Sequence, residues 1–255
     1  MSVLDPRTSI IDTRLARTRR IIAVSSGKGG VGKSMVATTL ALSLAEEGCR
    51  VGLFDLDFTG PSTHIILGVP KTVQPKEEKG IVPPTVNGLE YMSIVYFVGD
   101  NPAPLRGADV SNALIELLAV TQWGELDFLI IDMPPGIGDA VLDLIRLVKR
   151  IEFLIISTPS LLAFEVVKKQ TKLLCELRMP IIGVVENMQM KSSDAIKHET
   201  ENLGLKYLGT IPYDPDVETA IGNPSKLLST ALGKTMNHLK KAAVGKGSSK
   251  CLQKQ

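Results

Sequence analysis

The chain has 255 residues and a formal net charge of +2, enough length for one full core and too little charge of either sign to predict a nucleic acid partner. No apolar run reaches membrane-spanning length and the first residues lack a signal-peptide core, so a cytoplasmic protein with no membrane role is expected. Cys49, Cys175 and Cys251 lie far apart and form neither a disulfide framework nor a C-x-x-C pair, which suits a reducing compartment.

Residues 1–20 read as a leader. Within it Ile10-Ile11-Asp12-Thr13-Arg14-Leu15-Ala16-Arg17 sets apolar groups beside basic ones, which fits either a short partner-docking helix or a helix packed on its own sheet. The apolar run Ile21 to Val24 predicts a buried strand, and Met35 to Glu47 a helix. Between them Gly27-Lys28-Gly29-Gly30-Val31-Gly32-Lys33-Ser34 fits the pattern G-x-x-x-x-G-K-[ST]. In such a loop the glycines let successive N–H groups turn onto phosphate oxygens, Lys33 neutralises the β- and γ-phosphates, and the Ser34 hydroxyl is placed to hold Mg²⁺. Gly27, Gly29, Gly30, Val31, Gly32, Lys33, Ser34 and Met35 are therefore the expected nucleotide contacts, with the phosphates at a helix N-terminus. Lys28 is a second cation. Directed away from its own phosphates, it would serve a partner subunit's nucleotide as an arginine finger does, which implies a face-to-face homodimer with ATP between the subunits.

Further on, buried strands are predicted at 51–54, 91–97, 128–131, 153–156 and 181–185, and helices at 112–120, 139–149, 164–177 and 193–203. That alternation predicts an α/β fold, a doubly wound, mostly parallel sheet with helices on both faces and ligands at the carboxyl ends of the strands. The ATPase domain is expected to span 21–244, with an irregular insertion at 70–84 and a disordered tail at 245–255. Asp55 and Asp57 leave the second strand on one side, where one could approach the Mg²⁺ shell while the other orients the attacking water. Asp132 closes another apolar strand and reads as a further acidic position near the metal, followed by a γ-phosphate-sensing loop, Met133-Pro134-Pro135-Gly136. His64, His198 and His238 share no ligand spacing. Cys49 and Cys175 are expected in the core, and Cys251 is a weak candidate for a soft metal shared by two subunits. At the end, Leu228, Leu232, Met236 and Leu239 recur at helical spacing with Lys234, Lys240 and Lys241 nearby; a closing helix of the core is expected over a membrane-surface helix.

Several motifs in order make the resemblance specific. The two-lysine loop, Asp55-Leu56-Asp57-Phe58-Thr59-Gly60-Pro61-Ser62, Arg106-Gly107, Trp123-Gly124-Glu125-Leu126-Asp127, Ile131-Asp132-Met133-Pro134-Pro135-Gly136, Thr158-Pro159, Gly183-Val184-Val185-Glu186-Asn187-Met188 and Gly209-Thr210-Ile211-Pro212 together resemble the Mrp/ApbC branch of the MinD-like P-loop ATPases. The resemblance implies an ATP-sandwich homodimer in which Asp57 orients water, Asp55 and Asp132 support Mg²⁺, and Asn187 with the Pro212 segment borders the adenine. It also implies work in metallocentre assembly. Members that carry iron–sulfur clusters place a C-x-x-C pair soon after Glu-Asn-Met, whereas this chain reads Met188-Gln189-Met190-Lys191-Ser192-Ser193. The family's Gly-Thr-Gly-Asp stands here as Gly136-Ile137-Gly138-Asp139, one hydroxyl fewer near the γ-phosphate loop. On the missing cysteines, the expected role is that of the nickel-hydrogenase maturation ATPases, acting with a small nickel- and zinc-binding partner. The alternatives are an iron–sulfur cluster carrier of the Mrp/ApbC type and a MinD- or ParA-like positioning ATPase on membrane or DNA.

Overall fold

The structure is a computed structural model describing residues 7–98 and 108–244. Its strands are β1 (Thr18–Ser26), β2 (Val51–Asp55), β3 (Lys76–Glu77), β4 (Ile81–Val82), β5 (Thr85–Val86), β6 (Leu89–Ser93), β7 (Leu126–Asp132), β8 (Ile151–Ser157), β9 (Ile181–Gln189) and β10 (Tyr207–Pro212). Its helices are α1 (Arg7–Leu15), α2 (Lys33–Glu46), α3 (Thr63–Leu67), α4 (Val95–Val98), α5 (Ala108–Val120), α6 (Asp139–Leu147), α7 (Leu161–Glu176), α8 (Ala195–Asn202), α9 (Asp216–Ala220), α10 (Pro224–Ser229) and α11 (Ala231–Val244). Eight strands form one sheet in the order β10-β9-β8-β1-β7-β2-β6-β5, parallel except for β5 against β6.

Strand alternation sorts the core into two layers. Ile21 and Ala23 of β1 pack with apolar residues of α1, α5, α6 and α7, while Ile22 and Val24 pack with those of α2 and α11. Since β1 lies at the centre of the sheet, the loop leaving its carboxyl end emerges between the layers, at the crevice where doubly wound sheets bind ligands.

Local differences from the sequence expectation have local causes. Strand β1 begins at Thr18, three residues early, because Arg20 donates two hydrogen bonds to Glu152 of the neighbouring β8, at 2.7 and 2.6 Å, and so pays for its place in a ladder. The strand expected at 91–97 stops at Ser93, whose hydroxyl accepts from the Val95 amide and turns the chain into α4. Residues 70–84 are not wholly irregular, since β3 and β4 pair there as a small antiparallel ribbon. In α1, Ile11 and Leu15 stand one turn apart and are both buried, which leaves Ile10 as the exposed apolar group and removes the apolar docking edge expected from these residues.

Helix α11 closes the core. Leu232, Met236 and Leu239 are buried against α2 and β10, and Lys240 is buried too, donating to Ser43 O at 3.0 Å, Ser43 Oγ at 2.9 Å and Asn237 Oδ1 at 2.8 Å while pairing with Glu47 Oε1 at 2.6 Å. Its apolar face is spent inside the fold, so nothing is left of the membrane-surface reading. Among the described residues no helix is long and apolar enough to cross a membrane. Arg106-Gly107, Cys251 and the tail at 245–255 lie outside the described residues.

Candidate nucleotide-binding site

The loop between β1 and α2 lines a cleft of about 440 Å³. Lys28, Gly29, Gly30, Gly32, Lys33, Ser34 and Met35 face it, as do Asp57 and Pro135. Two glycines have steric reasons to be glycine. Gly32 adopts φ +79°, and a Cβ there would overlap the Asn187 side-chain amide; a Cβ on Gly27 would press on the Val166 backbone of α7 at 3.0 Å. Gly27 and Val31 are buried supports, whereas Lys28, Gly29 and Gly30 are exposed at the mouth. The Ser26 hydroxyl donates to the Lys28 carbonyl at 2.9 Å and fixes the turn that presents the Lys28 side chain outward.

Lys33 sits at the floor, buried, with its ammonium bonded to Asp132 Oδ1, 3.3 Å from Ser34 Oγ and 3.9 Å from Asp57 Oδ2. Sheet register explains the gathering: β7 lies between β1 and β2, so Asp132 is opposite Val24 on one side and Asp55 on the other. Burial pushes the Asp132 carboxyl above the ordinary carboxylate range, against the pull of Lys33. Its other oxygen, Oδ2, is buried with no hydrogen-bond partner. An orphaned anionic oxygen beside a serine hydroxyl suits a hard cation with oxygen ligands, so Ser34 and Asp132 fit Mg²⁺.

The three acidic positions part company here. Asp57 Oδ1 accepts from Thr59 Oγ1 at 2.7 Å, Gly60 N at 3.1 Å and Thr59 N at 3.3 Å, which leaves Oδ2 turned toward Lys33 in the cleft. Asp55, like Asp132, is fully buried and outside the cleft lining, and the two differ in how their oxygens are engaged. Its Oδ1 accepts from Asp57 N at 3.1 Å, and its Oδ2 from Thr63 Oγ1 at 2.6 Å and Thr63 N at 3.2 Å. Burial first, and the neighbouring Asp132 charge second, push its carboxyl up. The expected metal position at Asp55 is thus a carboxylate already committed to the protein on both oxygens.

A second cleft of about 480 Å³ shares Gly32 and Met35 with the first and continues along Asn187, Met188, Ile211, Pro212, Tyr213 and Val217. It extends the groove with a mainly apolar wall, the apolar end, whose lining also includes Asp214 and Glu218. Asn187 Nδ2 donates to the Val31 carbonyl at 2.9 Å, and this tie joins the end of β9 to the phosphate loop. Pro212 is exposed on the wall of this cleft. Sequence reasoning missed Thr63, Tyr91 and Ile65, none of which carries a local signal, and gave Ser62, the last residue of the Asp55 motif, no role; Ser62 and Ile65 line the phosphate-side cleft.

Of the cysteines expected in the core, Cys49 is buried but Cys175 is exposed on α7. Among the described residues no group of three or more His, Cys, Asp and Glu is placed to hold a metal ion.

Residues 17–244 match the family described as ParA, NUBPL iron-transfer P-loop NTPase. An iron–sulfur cluster carrier protein of Pseudomonas fragi is 45% identical over 177 residues, 68% of this chain and 62% of that protein, so the chain spans about three-fifths of that relative's length. A nucleotide-binding protein from Archaeoglobus fulgidus, solved in complex with ADP, superposes with a TM-score of 0.71 at 29% identity, covering 91% of this chain and 92% of that one. The cell division ATPase MinD of Pyrococcus furiosus shares the fold, with a TM-score of 0.67 at 22% identity over 88% of this chain and 98% of its own. These findings overturn the nickel-hydrogenase role and its nickel- and zinc-binding partner. The absent cysteine pair was the whole ground for that role, and relatives this similar are iron–sulfur carriers.

Proposed function

This chain belongs to the ParA family of NUBPL-type iron-transfer P-loop NTPases, and from that membership we propose that it hydrolyses ATP as a homodimer and uses the cycle to hand on an iron–sulfur cluster. One observation supports the hydrolytic part above the others: Lys33 and Asp57 line a single glycine-walled cleft, with Asp132 bonded to Lys33 from behind its wall, while Lys28 stands exposed at its mouth. Loop N–H groups and Lys33 bind the phosphates. Asp57 Oδ2 orients the attacking water and takes its proton, since Oδ1 is held by the turn. Ser34 and Asp132 would hold Mg²⁺, which would neutralise charge on the phosphate oxygens. Lys28 reaches the nucleotide of the facing subunit, and Asn187 with Pro212 borders the adenine.

The cluster is cargo, and its thiolates do not come from residues 188–193. Cys175, exposed on α7, and Cys251, which lies outside the described residues, are the candidates on this chain. Anaerobic incubation with iron and sulfide, followed by absorption spectra and transfer to an apo-ferredoxin, tests the role. ATP-stimulated transfer that Cys175→Ala or Cys251→Ala weakens supports it. A protein that turns over ATP yet neither acquires a chromophore nor speeds cluster delivery overturns it.

A further inference from the structure

The segment between Leu56 and Ser62 carries Asp57 across the floor of the cleft, and its two ends are tied together. Asp55 is the tie. One of its oxygens holds the Asp57 amide and the other holds both the amide and the hydroxyl of Thr63, eight positions on, so the loop is closed by one buried carboxylate. The hydroxyl of Thr63 is in turn 2.9 Å from the Tyr91 phenol oxygen. With the Thr63 proton given to the carboxylate, Tyr91 is the donor in that contact, and the order of donation runs from Tyr91 to Thr63 to Asp55. Tyr91 is buried on β6, in register with Leu53 of β2, and its ring stacks edge-on against Tyr96 at 5.8 Å between centroids. The far end of the chain of bonds is therefore fixed in the sheet.

We propose that Asp55, Thr63 and Tyr91 form a clamp that positions Asp57 for hydrolysis, with Thr63 and Tyr91 as positioning residues that touch neither nucleotide nor metal. The proposal rests on the ATPase reading above. Asp57 can keep Oδ2 aimed into the cleft because the loop around it has a fixed span, and Thr63 sets that span. Asp55 is thereby a buried anchor of the loop.

Steady-state ATP hydrolysis and titration with a fluorescent ATP analogue, both on the full chain, test this. Thr63→Val keeps the volume and removes the hydroxyl; kcat is expected to fall by about tenfold or more, as small misplacements of reacting groups do, with analogue affinity within about twofold of the parent. Thr63→Ser restores kcat, and Tyr91→Phe gives a smaller loss. Unchanged turnover in Thr63→Val, or a parallel loss of affinity, overturns the clamp, as does a Thr63→Ser variant as slow as Thr63→Val. Should Thr63→Val fail to fold, Tyr91→Phe decides, since wild-type kcat there breaks the chain of donation. Parent turnover no higher than that of Lys33→Ala would instead remove the ATPase reading, and the clamp's role with it.

Discussion

The two ends of the groove recognise their ligand by different physics. At the phosphate end one cation gathers its partners within 4 Å: Lys33 is bonded to Asp132 and stands 3.9 Å from the Asp57 carboxylate and 3.3 Å from the Ser34 hydroxyl. Displacing any one of them changes a charge–charge energy steeply, because the site is buried and weakly screened. At the apolar end Ile211, Pro212, Tyr213 and Val217 offer surface, and surface tolerates exchange of one side chain for another of similar size. Charge fixes residue identity at fixed spacing, whereas area fixes only character.

That contrast breaks first at Lys33. Lys33→Ala leaves Asp132 buried without its cation, and ATP affinity is expected to drop by about two orders of magnitude or more, with turnover lost as well. Isothermal titration with ATP checks this. A variant that keeps parent affinity would mean that the apolar end alone holds the nucleotide and that the two ends are not different in kind.

Lys28 sharpens the comparison within one loop. It is exposed where Lys33 is buried, so Lys28→Ala is expected to preserve ATP affinity and lower turnover on the order of 10³, the cost of removing a cation supplied across a dimer. Sizing chromatography with ATP should show less closed dimer. Equal loss of affinity in Lys28→Ala and Lys33→Ala would refute the division of labour.

How much of this was legible in the sequence follows the same line. The phosphate loop, Asp57 and Asp132 are readable because the chemistry demands a residue type at a set distance from a glycine turn or a strand end. Asp55 misleads for that reason: it has the right type and place, but Thr63 claims it, and the claim is visible only once residues 55, 63 and 91 are folded together. Asn187 is distant in the same sense, bonded to Val31 across 156 positions, and was reachable only by resemblance. The leader stayed open between docking and packing because Ile10, Ile11 and Leu15 look alike in sequence, and helical geometry, which sends Ile11 and Leu15 inward together, decides for packing. The nickel role failed on another ground, since a missing motif states what a turn does not bind and names nothing in its place.

Asp57 tests the floor between the two ends. Asp57→Ala removes the group that orients water and leaves the phosphate cradle whole, so turnover is expected to fall by about 10²-fold or more while an ATP-bound dimer accumulates. Parent-rate hydrolysis would make Asp57 a turn residue, its Oδ1 bonds to Thr59 and Gly60 being the whole of its work.

Asn187 is where the two ends touch, and it carries the smallest effect. Its side-chain amide donates to the Val31 carbonyl, and the same nitrogen limits what can stand at Gly32. Asn187→Ala leaves a buried carbonyl without its donor, a loss of about 1–3 kcal/mol, or roughly tenfold in affinity if the loop must be re-ordered on binding. The comparison turns on which ligand feels it. A residue serving only the base would weaken ATP and spare inorganic tripolyphosphate; one that braces the phosphate loop weakens both alike. The bond to Val31 makes the second outcome the expected one, and titration calorimetry with the two ligands separates them. A loss confined to ATP would show that the apolar end works alone and that the tie between β9 and the loop is packing.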